Sequence, residues 1–221
     1  MSTTRDRLIN TAERLFALHG VGGVSLDRIR REAGEKNASA LQYHFGNKQA
    51  LLRAVFEARL SVVNRRRLEI LHEIDMGNRH MALRRCAEAL VLPFAEQLSG
   101  PGADRYYVRF TAQIYSDPRT AWSELLAGGR NEGIYQVGQA LIELFAKFPR
   151  AVVRTRLELV VGLIIHSLSD RERAITADRR RPAQSTAAFV SLLIDICVGA
   201  LSAPHSGLAR REVNNGDLRS A

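Results

Sequence analysis

The chain is short of lysine, cysteine and uninterrupted apolar sequence, and each shortage narrows what it can be. Among its 32 basic side chains only Lys36, Lys48 and Lys147 are lysines; the arginine bias suits a GC-rich genome and carries no mechanism by itself. Its two cysteines, Cys86 and Cys197, stand far apart within apolar helical patterns and lack metal-ligand spacing. They read as buried free thiols in a reducing compartment, with a disulfide as the lesser alternative. The richest apolar run, Leu157 to Leu168, is interrupted by Glu158 and too short to cross a bilayer, and the opening MSTTRDRLIN holds no apolar signal segment. A cytoplasmic protein with no membrane partner is expected. There is no nucleophile-base motif, no glycine-rich phosphate loop and no cluster of His, Asp and Glu, since the six histidines are scattered. These absences argue against an enzyme, and no catalytic residue, metal or cofactor is expected.

What is present is positive charge and helical periodicity. A net charge of +9 on 221 residues suits a partner rich in phosphate, although charge speaks to attraction and not to fold. Apolar residues recur with helical spacing almost everywhere, without the alternation and tight hairpins of strands, so an all-α chain is expected. We read an N-terminal three-helix helix-turn-helix head over 1–60, a larger helical ligand-binding and dimerisation body over 61–203, and a flexible tail over 204–221.

In the head, Leu8, Ala12, Leu15 and Phe16 share one face of a helix over 5–19, capped by Thr4 and stopped by Gly20. Ser25 caps a second helix that turns Leu26, Ile29 and Ala33 inward and ends at Gly34. After Glu35-Lys36, Asn37 caps a third helix over 38–44 with Leu41 and Phe45 inward; Gly46 stops it and Asn47 caps a fourth. The fourth carries Leu51, Leu52, Val55, Phe56 and Leu60, and either continues past Arg65-Arg66-Arg67 or breaks there. Body helices are expected near 80–98, bent at Pro93, then 103–115, 119–127, 132–148, 151–171 and 183–201, with a charged loop over 170–181.

Helix one, the Ser25-opened helix and the run from Ala33-Gly34 through Leu41-Gln42-Tyr43-His44-Phe45-Gly46-Asn47-Lys48 together resemble the TetR-type transcriptional regulators over about residues 5–60. The order of these pieces is more specific than a short motif. The sequence departs from the family pattern in placing Gln42 at an aromatic position. It also carries one extra residue between Gly34 and Leu41, with Glu35-Lys36 where an apolar residue is usual. On this resemblance the protein is a sequence-specific DNA-binding regulator, a homodimeric repressor released from a near-palindromic double-stranded operator by a small-molecule effector. Ala38, Ser39 and Gln42 lie on the exposed face of the third helix, where the Gln42 amide can pair bidentately with adenine and a methyl can meet thymine. Tyr43, His44 and Lys48 resemble the family's phosphate-contacting positions. Ser25, Arg28 and Asn37 complete the expected DNA-binding set, with the amides opening the second helix as a phosphate anchor. His44 has the alternative of a hydrogen-bonded place within the head.

The resemblance also implies a homodimer through the last two long helices and an effector pocket in the body. Tyr106, Phe110, Gln113, Trp122, Tyr135 and His166 are the candidate lining residues because they combine aromatic area with polar handles. Arg105 and Arg109, one turn apart, either receive an anionic effector or, as we prefer, are solvated charges. An enzyme and a nonspecific architectural DNA-binding protein are the competing classes.

Overall fold

The computed structural model describes residues 3–37, 39–99, 106–118, 125, 131–176 and 184–204. Every regular element among them is helical. In chain order these are α1 (Thr4–His19), α2 (Leu26–Glu32), α3 (Ala40–Phe45), α4 (Lys48–His72) and α5 (Arg79–Ala95), followed by a 3₁₀ turn (Glu96–Ser99). Then come α6 (Tyr107–Ser116), α7 (Glu132–Leu144), α8 (Arg150–Thr176) and α9 (Thr186–Ser202). Apart from Leu125, which is helical, the expected helix over 119–127 with Trp122 lies outside the described residues, as do Ala38, Arg105 and the tail beyond Pro204.

Local chemistry sets each boundary. Thr3, not Thr4, caps α1: its hydroxyl accepts from the Asp6 amide, and the Asp6 carboxylate accepts in return from the Thr3 amide. This reciprocal pair satisfies two amides that would otherwise lack partners at the helix start. Ser25 caps α2 through the Arg28 amide, Asn47 caps α4 through Ala50, Asn78 caps α5 through Met81 and Ser185 caps α9 through Ala188. Gly20 and Gly46 close α1 and α3 at φ of 72° and 75°, a region open to glycine and strained for other residues.

α4 settles the open question at the arginine run, because it passes through it without a break to His72. It packs on α1 and α3 and also on α5 and α7, so one rod joins the N-terminal helices to the later ones. The run itself is not uniformly solvated. Arg66 pairs with Glu69 and Glu96, while Arg67 is buried at 3% exposure, because the same 3.6-residue period that turns Val63 and Ile70 inward also turns Arg67 inward. α8 likewise continues five residues past the expected end at 171 and absorbs the start of the charged stretch. Arg171 bonds the Gln184 carbonyl and Thr186 hydroxyl, and its guanidinium lies 5.3 Å from the Phe189 ring centre, joining α8 to the start of α9.

One contiguous apolar cluster runs from Leu8 in α1 to Leu201 in α9. Phe16 of α1 stacks on Phe110 of α6 at 6.2 Å, a hydrophobic link between the head and the body. Two buried carboxylates reinforce this core, each matched by an arginine: Glu13 with Arg59 at 3.0 Å and Glu172 with Arg109 at 3.0 Å. The second pair corrects the solvated reading of Arg109, whose side chain reaches back onto α8 and also bonds the Thr176 hydroxyl. Burial nevertheless pushes the Glu172 carboxyl upward, against the pull of Arg109.

Candidate nucleic-acid interface

α3 is short and stands off the body, so its outer face meets open solvent. Leu41 at 4% exposure and Ala40 at 5% anchor it, with Phe45 packed at the edge of the core. On the other side Tyr43 is 85% exposed and Gln42 is exposed beside it. The helix begins two residues later than its pattern suggests. Asn37 does not cap it: its side-chain oxygen accepts from the Ser39 amide in a turn that precedes the helix, and Ser39 occupies the cap position without a side-chain bond. The extra residue of the turn is accommodated there. Arg30 donates to the Glu35 carbonyl, the Asn37 amide donates to the Glu35 carboxylate, and the Ala40 amide bonds the Asn37 carbonyl.

The charged groups around α3 are already ordered. The Ser25 hydroxyl is engaged at its cap by the Arg28 amide. Arg28 is held by the Glu32 carboxylate at 2.8 Å and by the His19 ring at 2.9 Å, and Arg14 meets the same Glu32 at 2.6 Å. His44 meets the Tyr43 ring edge-on at 5.1 Å. Lys48 opens α4, its ammonium 5.9 Å from the Phe16 ring centre. Ser39, Gln42, Tyr43, His44 and Lys48 thus lie together on α3, its cap and the first turn of α4, whereas Arg28 is turned into an ion-pair network with α1. A shallow groove beside α3 is lined by residues including Arg5, His44, Asn47, Gln49, Arg53 and the carboxylate Glu57. The sequence pattern does not single out Arg5, Gln49 or Arg53; the place of Arg53 on α4, turned away from the Leu52 and Val55 face, is the available signal.

In the body the candidate ligand residues do not form one site. Phe110 is fully buried in the core, Tyr135 is 64% exposed on α7 and Tyr106 lies under the Arg109 guanidinium. Gln113 and His166 do come together, on an open polar groove between α6 and α8. The more enclosed cavity lies elsewhere: about 60 Å³ between α4, α5, α7 and α8, walled by residues including Phe56, Arg67, Leu90, Phe94, Ile134 and Ile164. A sequence pattern cannot separate these from ordinary core positions, because cavity and core walls share one composition. Among the described residues no cluster of His, Cys, Asp and Glu is placed to hold a metal ion, and no helix is long and apolar enough to cross a membrane.

Residues 8–55 match the family described as bacterial regulatory proteins, tetR family, and residues 88–200 match the tetracyclin repressor-like C-terminal domain. Over 103 residues, 47% of this chain, the sequence is 30% identical to the HTH-type transcriptional regulator SrpR of Pseudomonas putida. The same identity and span hold for the uncharacterized HTH-type transcriptional regulator TtgW, also of Pseudomonas putida. The matched region spans 43% of SrpR and 69% of TtgW. Among solved structures, the TetR family regulator PfmR from Thermus thermophilus is similar with a TM-score of 0.60 and 19% identity, covering 94% of this chain and 100% of that one. The fatty acid degradation regulator FadR from Bacillus halodurans gives 0.57 and 16%, covering 93% and 99%. The all-α architecture, the exposed third helix and both family matches converge: this chain belongs to the TetR family and is a DNA-binding transcriptional regulator.

Proposed function

We propose that the protein is a homodimeric repressor that binds a near-palindromic operator through α3 and is released by a small-molecule effector held in the body. The observation that carries this is the outward pair Gln42 and Tyr43, the latter 85% exposed on a helix otherwise anchored by Leu41. A large aromatic left in water at the tip of a recognition helix suits phosphate contact, and the neighbouring amide suits base reading. Ser39 and the α2 start would complete the groove face, with Lys48, Arg5 and Arg53 gripping backbone on the α4 side.

One recognition helix reads few base pairs, so high specificity calls for two half-sites and two heads. Exposed Leu159 and Leu163 on α8 and Leu192 and Ile196 on α9 supply an apolar face for a partner copy. The domain limits at 60 and 203 follow the same reading, with α4 as the rod that passes from head to body.

The reading is tested by fluorescence anisotropy on a selected duplex and its scrambled counterpart as salt is raised from about 50 to 200 mM. A specific regulator weakens on both yet keeps its preference for the selected duplex. Equal affinity for the two at every salt concentration would instead indicate an architectural binder.

A further inference from the structure

Taking the body as the effector-binding unit of the proposed repressor, we infer that the cavity between α4, α5, α7 and α8 takes a compact apolar molecule bearing one carboxylate, and that the Arg67 guanidinium holds that carboxylate. The other deeply set arginines of this protein have anionic or dipolar partners: Arg59 has Glu13, Arg109 has Glu172, and Arg171 has the Gln184 carbonyl and Thr186 hydroxyl. Arg67 has less: a single backbone carbonyl and, among the described residues, no anion. It is 3% exposed, and among the described residues no carboxylate is within ion-pair distance of it. Its hydrogen bond runs from Nε to the Ala89 carbonyl at 3.0 Å.

The side chain is nevertheless fixed. Its stem lies so close to Gly133 that a Cβ there would stand 3.0 Å from the Arg67 Cδ, and its guanidinium carbon is 6.0 Å from the Phe94 ring centre. With Nε engaged, the two terminal nitrogens remain side by side, the fork that matches two carboxylate oxygens. Burial lowers the Arg67 pKa to about 10, which still leaves it charged at neutral pH. A buried charge without a counterion costs stability, and a ligand that supplies the counterion recovers it.

The rest of the wall selects the body of the ligand. Phe56, Leu60, Leu90 and Ile164 are apolar, and Asn131 is the other polar group lining the cavity among the described residues. One guanidinium and one amide suit a monoanion; a phosphate dianion needs more donors than these walls offer. At about 60 Å³ the space is below the roughly 150 Å³ that admits benzene, so entry displaces a wall. One wall is α4, whose first turn adjoins α3.

The test is calorimetric titration of the full-length protein, without DNA, using hexanoate and phenylacetate, each against its own carboxamide. At least one acid should bind about ten times or more tighter than its amide. Arg67→Met should remove that difference while the thermal midpoint of the unliganded protein holds or rises, because the variant deletes an uncompensated charge and keeps most of the volume. Acid and amide binding equally, or none of the four binding, overturns the inference, as does an Arg67→Met protein that keeps the acid preference. Should Arg67→Met fail to fold, Arg67→Lys keeps the charge without the fork and must weaken the acid more than the amide; equal weakening counts against the assignment. A protein that binds its operator but discriminates no carboxylate keeps the repressor reading and loses this one, and the converse result separates the two in the other direction.

Discussion

Single side chains divide into those proposed to touch DNA and those that hold the head in shape. Gln42→Ala should relax base preference and cost about 1–3 kcal/mol at one operator position. Affinity measured across single-base operator variants checks this, and equal losses on every variant would remove Gln42 as a base reader. Lys48→Ala should weaken all sequences alike and reduce the salt slope by about one unit; an unchanged slope would leave Lys48 as a packing residue on Phe16. The two thiols make a separate prediction. Cys86 and Cys197 are both fully buried, and burial pushes each thiol up to about 12. A thiolate-selective reagent at pH 8 should therefore label neither until the protein unfolds. These thiols were readable from sequence by their apolar surroundings. Arg67 was less so: the period through Leu60, Val63 and Ile70 passes through it, but Leu68 and Leu71 offer a competing face, and the phase of α4 against α5 and α7 decides between them.

At the scale of elements, helix periodicity was legible wherever one face meets a core, which is why α1, α2 and α9 fall close to their expected limits and α4 starts where Asn47 was expected to cap it. The ends were less so, because capping depends on side-chain direction as well as residue type. Thr3 and Thr4 are both acceptable caps, and Asp6 three residues beyond Thr3 decides between them. Asn37 is a good cap by composition, yet the added turn residue moves the helix start beyond its reach. Thr3→Ala should cost about 1 kcal/mol of stability, measured by denaturant unfolding. The same caps and ion pairs give the head a pH dependence. The Thr3 side chain and amide hold Asp6 below its ordinary range, Arg30 does so for Asp27, and Arg28 then Arg14 do so for Glu32. A lowered carboxyl contributes stability above its unfolded value, here 3.8 to 4.5, and loses it as pH falls through the lower folded value. Glu172, shifted upward, acts with the opposite sign. The thermal midpoint should fall as pH drops below these unfolded values, and Asp6→Asn with Glu32→Gln should flatten that acid limb; an unaltered limb in the double variant would place the acid sensitivity elsewhere.

For the whole molecule, the class and the order of the parts could be read from sequence because the head motif is local. The cavity could not, since it is assembled from four helices distant in sequence and takes its shape from their packing. In the proposed dimer the exposed leucines of α8 and α9 join one copy to its mate. Leu159→Glu with Leu192→Glu should then yield a monomer in sedimentation and weaken operator binding by orders of magnitude, since each head alone reads one half-site. A double variant that sediments as wild type would move the interface to another face. The central claim, specific recognition by paired heads, is tested most directly by selecting bound duplexes from a random library at moderate salt and sequencing them. The account predicts an enriched near-palindrome with half-site centres about one helical turn, or a multiple of it, apart. Folded, effector-free protein that enriches no sequence would contradict it.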